Sequence, residues 1–69
     1  AQRASLAEAA AREGEYDLAA EQLLAILERD PQWNEGSARQ SLLDLFLIMG
    51  EDDPRTKEYR KRMGWLLFA

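Results

Sequence analysis

The chain has 69 residues and a formal charge of −4, with neither cysteine nor histidine. That length supports one small domain, and chains of this size bury only ~60% of the surface their unfolded forms expose. Without thiolate or imidazole there is no disulfide, no Cys or His nucleophile or base, and none of the commonest soft metal ligands, so an enzyme would have to rely on scattered carboxylates alone. We therefore expect no catalytic activity, no cofactor and no metal.

The charge is uneven. Residues 1–35 hold eight acids against three bases, and 36–69 hold five acids against six bases. No charged segment followed by an apolar stretch opens the chain, so no export signal is read and a cytoplasmic location is expected. Ala1 in place of Met fits either initiator processing or a piece of a longer protein, and we expect the second.

In chain order, Ala-rich Ala4 to Glu13 predicts a first helix, with Ser5 and Glu8 at the spacing of a capping box. Its alanines, Ala4, Ala7, Ala10 and Ala11, would let another helix approach closely, and Gly14 stops it. A second helix is predicted from Tyr16 to Arg29, where Ala19, Ala20, Leu23, Leu24, Ile26 and Leu27 build one apolar stripe. With so short a link, the two should form an antiparallel hairpin. Asp30-Pro31 ends the second helix.

Asn34 is a natural N-cap for a third helix from Glu35 to Met49, stopped by Gly50, although Gly36 and Ser37 weaken its first turn. Trp33 should fold back onto the second or third helix. The stretch Ser41 to Met49 holds seven large apolar residues interrupted only by Asp44. It is too short to span a bilayer, which takes ~20 apolar residues, and a helix apolar nearly all round needs cover on several sides. This helix is therefore expected at the centre, with Asp44 exposed or paired with Arg39, Arg60 or Arg62. Asp53-Pro54 starts a fourth helix reaching about Leu67, with Thr56, Tyr59, Met63 and Leu66 inward and a final turn that Gly64 can fray or bend. The fold expected is all-α: four helices in a tetratricopeptide-like pair of antiparallel hairpins, one domain over 1–69.

Two further clusters invite a functional reading. Arg55, Lys57, Arg60, Lys61 and Arg62 could suggest nucleic acid, but Glu58 interrupts them and the chain is acidic, so a solvated helix face is the better account. A helix-turn-helix is disfavoured because the third helix offers no polar residue for base edges after Gln40 and Ser41. Glu51-Asp52-Asp53 lacks the ligand pattern of a calcium loop and reads as a helix cap. Trp65-Leu66-Leu67-Phe68 is different: a helix cannot bury four consecutive large apolar residues on one side, so some close the core while others offer an interaction patch.

Leu6, Ala10, Gly14, Ala19, Leu23, Ile26 and Pro31 fall near the offsets of one tetratricopeptide repeat of about 34 residues, with Arg3 and Ala7 where an aromatic and a glycine are usual. The second half departs from that pattern, since its Gly and Ala do not recur one period later. The ordered set Gly14-Glu15-Tyr16-Asp17, Leu23-Leu24, Asp30, Trp33-Asn34, Ala38-Arg39, Leu42-Leu43, Leu45-Phe46, Gly50, Asp53-Pro54, Tyr59-Arg60 and Leu66-Leu67-Phe68 resembles the C-terminal domain of bacterial thioredoxin-like co-chaperones of the YbbN or CnoX type. Gly36, Gly64 and Trp65 depart from it. The resemblance implies the C-terminal part of a longer thioredoxin-like protein, a co-chaperone or holdase for unfolded clients that can contact chaperonin. On this reading the candidate partner-binding residues are Arg39, Leu42, Phe46, Trp65, Leu66, Leu67 and Phe68. The alternative is a structural module whose apolar face pairs with a second copy.

Overall fold

The computed structural model describes residues 2–68, which form four α-helices: α1 (Gln2–Arg12), α2 (Tyr16–Arg29), α3 (Ser37–Met49) and α4 (Pro54–Phe68). The α1 to α2 link shows how a sequence signal becomes a turn. Gly14 takes φ +79°, Gly14 N–H donates to the Ala11 carbonyl at 3.2 Å, and Glu15 N–H reaches the Ala10 carbonyl at 2.8 Å. This double bond pattern satisfies the orphan carbonyls of α1 and reverses the chain. The start of α1 differs from expectation. The helix is already formed by Gln2, so Ser5 and Glu8 lie inside it rather than forming a capping box. Residues of good helix propensity precede Ser5 and carry the helix through, and Arg3 Nη1 donates to Gln22 Oε1 on α2 at 3.2 Å.

The predicted bounds of α2 match, and all six residues of its apolar stripe are buried. After Asp30, whose Oδ1 accepts Gln32 N–H at 3.1 Å, comes a tight turn, Trp33–Gly36. Here Asn34, Glu35 and Gly36 take φ values of 49°, 59° and 82°. The third helix therefore starts at Ser37, not Glu35, and Asn34 is not its cap: Asn34 Nδ2 donates to Ser37 Oγ at 3.1 Å. Asn and Gly tolerate the left-handed region, whereas Glu35 there costs on the order of 1 kcal/mol. The expected cap of α4 is present, with Asp53 Oδ1 accepting Arg55 N–H at 2.8 Å, and α4 passes through Gly64 without interruption.

The hub is α2, not α3 as expected. It packs against each of the other three helices, meeting Ala7 and Ala10 of α1, Ala38, Leu42 and Leu45 of α3, and Thr56 and Tyr59 of α4 in one core. With α2 taking the centre, α3 is left short of cover, and Leu47 and Ile48 are 72% and 60% exposed. Two antiparallel hairpins result. In the second, the Arg60 guanidinium of α4 lies 5.0 Å from the centroid of the Phe46 ring on α3, while Leu43 and Leu67 share a concavity at the other end.

Polar bonds fix the register of α4 alongside α2. Arg55 Nη1 meets Asp17 Oδ2 at 3.2 Å, Tyr59 Oη donates to Asp17 Oδ1 at 2.9 Å, and Arg62 holds both oxygens of Glu21 at 2.7 and 2.9 Å. The pairings advance together, so the two helices run parallel. Because these ion pairs are largely exposed, each stabilises only weakly and chiefly sets the register. Hydrogen bonding by Arg62 keeps Glu21 below the ordinary carboxylate range.

Tyr59 supplies a pH-dependent contribution. Burial first, and then the hydrogen bond to Asp17, push its phenol up to about 12. A folded-state pKa above the unfolded value near 10 means stability that is complete below pH ~10 and lost as pH rises from ~10 toward ~12. Asp17 is largely exposed, which screens the effect. We expect the native chain to lose on the order of 1–2 kcal/mol more than Tyr59→Phe across that window in urea melts.

Thr56 is fully buried on α4, and among the described residues its Oγ1 has no hydrogen-bond partner. A buried hydroxyl left unbonded carries a desolvation penalty of about 1–3 kcal/mol. Thr56→Val, which keeps the branched shape, should therefore raise the thermal midpoint by about 4–8 °C for each 1 kcal/mol recovered in a domain this small. A lower midpoint would mean that the hydroxyl is satisfied.

Candidate functional site

Because α1 and α3 both pack on α2, they lie side by side and leave a groove of about 340 Å³ between them. Small side chains create it. Ala4, Ala7 and Ala11 line the α1 wall, Ala38, Leu45 and Ile48 the α3 wall, Ala19 and Leu23 of α2 the floor, and Trp33 stands with Asn34 at one end. The polar members are Glu8 on α1 and Ser37, Ser41 and Asp44 on α3. The volume lies at the small end of the range for binding pockets, about 300–1,000 Å³. It suits one or two bulky side chains of a partner segment. Such a segment would bury the exposed Ile48 side chain and the alanine wall, and apolar burial would supply the affinity.

Asp44 is exposed, and it accepts a hydrogen bond from Gln40 Nε2 at 3.1 Å rather than pairing with any of the arginines considered from the sequence. Ser37, Ser41, Asp44 and Ile48 follow one another at spacings of four, three and four, so they share one helix face. The groove brings that face opposite Ala4, Ala7 and Ala11.

The partner-binding residues read from the sequence are not brought together. Leu42 and Phe46 have no exposed surface; they are core residues, which corrects their reading as contacts. Both belong to the core that α3 shares with α2, and Phe46 also lies against Arg60 of α4. Leu66 is half-buried and packs against the core, as does Leu67. Arg39 is exposed in a separate concavity with Leu43 and Leu67, on the other flank of α3 from the groove. Trp65 and Phe68 stand 66% and 84% exposed on α4, and Lys61 Nζ lies 5.8 Å from the Trp65 ring centroid. The four consecutive apolar residues at the end of α4 thus divide between core and solvent.

The basic cluster of α4 also divides. Arg55, Arg60 and Arg62 pair with Asp17 and Asp53, with Glu51, and with Glu21. This neutralises most of the cationic stripe that nucleic acid would need. Among the described residues no helix is long and apolar enough to cross a membrane.

A family model described as tetratricopeptide repeat matches residues 1–68. No curated protein matches the chain, and neither does any solved structure.

Proposed function

The chain belongs to the tetratricopeptide-repeat family, and from that premise we propose that it is a protein-interaction module seating apolar segments of partner proteins in the groove between α1 and α3. Repeats of this family generally mediate protein–protein contact. The single observation that carries the assignment to this groove is the open alanine-walled cavity with Ile48 standing exposed along it. In the finer reading, the module is the C-terminal part of a cytoplasmic thioredoxin-like co-chaperone that holds unfolded clients and can meet chaperonin; the ordered motifs from Gly14 to Phe68 support it. Small alanine walls suit this task, since they accept differing apolar side chains without shape selection.

The test is light scattering by a denatured model protein diluted from guanidinium with and without the domain. Suppression of aggregation at a few molar equivalents is expected, and no suppression would sink the holdase reading. A second reading, pairing with another copy of this chain, draws on Leu47, Trp65 and Phe68, which are exposed outside the groove. Sedimentation that shifts with concentration in the native chain, and not in Trp65→Ser with Phe68→Ser, would favour it.

A further inference from the structure

We propose that the groove between α1 and α3 selects cationic apolar segments: partner stretches in which a Lys or Arg lies within a turn of the bulky side chain that enters. The proposal deepens the protein-binding reading of this groove and rests on it.

The argument is one of charge complementarity around an apolar seat. One carboxylate stands on each wall, Glu8 on α1 and Asp44 on α3, and among the described residues no Lys or Arg lines the groove. Among the described residues neither acid takes part in an ion pair. The hydrogen bond of Asp44 is to Gln40, a neutral amide, so its charge is not cancelled. The arginines nearest in sequence lie elsewhere. Arg39 lines the separate concavity across α3, and Arg12 follows Glu8 by one turn without lining the groove.

A segment that lays an apolar side chain over Ala7, Ala11 and Ile48 must remove water from beside both acids. A neutral or acidic segment leaves those carboxylates poorly solvated and unpaired, which is unfavourable. A Lys or Arg on the segment restores a partner to each and also speeds encounter with an acidic chain. The groove admits one or two side chains, so selection acts on a short motif.

Trp33 on the groove wall is the reporter. In a Trp65→Phe background it is the remaining tryptophan, and its fluorescence is followed while three peptides are titrated at low salt. The peptides share their Leu and Phe positions and carry Lys, Gln or Glu at the others. We expect the Lys peptide to bind roughly tenfold more tightly than the Glu peptide, with Gln between them. In Glu8→Gln with Asp44→Asn the ratio should fall to within about twofold, because each exposed pair is worth at most about fivefold. Glu28→Gln with Glu58→Gln removes the same charge away from the groove and should leave the ratio intact; circular dichroism confirms that each variant is folded. Equal binding of all three peptides would overturn charge selection while leaving the groove as a protein-binding site. Loss of the preference in the Glu28 and Glu58 variant would overturn it too, by assigning the effect to net charge. If no peptide binds, including the Gln form, both the proposal and the groove reading fall.

Discussion

Phe46→Ala should unfold this domain rather than weaken a binding surface. Phe46 has no exposed surface, sits in the core with Leu42 and Leu45, and carries the Arg60 guanidinium at 5.0 Å from its ring centroid. Truncation of a buried Phe costs about 3–5 kcal/mol, comparable with the whole stability that a domain below ~70–80 residues draws from its core. Far-UV helicity at 25 °C should collapse, and the urea transition should disappear or move close to zero denaturant. Phe68→Ala, at the exposed end of α4, should change stability by within about 0.5 kcal/mol. A folded Phe46→Ala that binds partners less well would instead return the residue to the surface.

Ala11→Leu should strongly weaken partner binding at little cost to the fold. Ala11 is half-buried and lines the α1 wall, so a Leu there occupies the space a partner side chain would enter. Leu is nearly as good a helix former as Ala, and helicity and thermal midpoint should stay close to native. Affinity for an apolar peptide should fall by at least about tenfold, which corresponds to the loss of about 1.4 kcal/mol, less than one fully buried Leu or Val side chain contributes. Isothermal titration of the native and variant chains checks this, with unchanged affinity assigning binding to another face.

The amino-acid order makes some parts of the molecule legible and leaves others open. The stripe on α2 is local information: Ala19, Ala20, Leu23, Leu24, Ile26 and Leu27 repeat at helical spacing, and all are buried. The Asp53-Pro54 start of α4 and the Gly14 stop of α1 are local too, and both occur as read. Which helix becomes the hub is not local. An apolar run such as Leu42 to Met49 announces burial on several sides, yet whether it receives that cover depends on how the other helices distribute themselves. Here α4 aligns with α2 through Asp17, Tyr59, Glu21 and Arg62, and α3 keeps Leu47 and Ile48 in solvent.

The groove had a partial signal. Asp44 marks a wet face of α3, and Ser37, Ser41 and Ile48 share it at spacings of three and four. The alanines of α1 likewise announce close approach: Ala7 and Ala10 pack against α2, while Ala4 and Ala11 face the groove. What the order alone did not contain is the pairing of these two faces, because it follows from the way α1 and α3 both pack on α2. The left-handed run Asn34 to Gly36, which delays the start of α3 to Ser37, is likewise set by the path the chain must take back to α2.

The central claim is that partner segments sit between α1 and α3. Amide chemical-shift mapping by NMR tests it most directly, with an isotope-labelled chain titrated with a short apolar, lysine-bearing peptide. The account predicts that the shifted amides cluster on Ala4, Ala7, Glu8 and Ala11 of α1 and on Ser41, Asp44 and Ile48 of α3, with α4 unmoved. Shifts confined to Trp65, Phe68 and their neighbours on α4, with the groove silent, would contradict it.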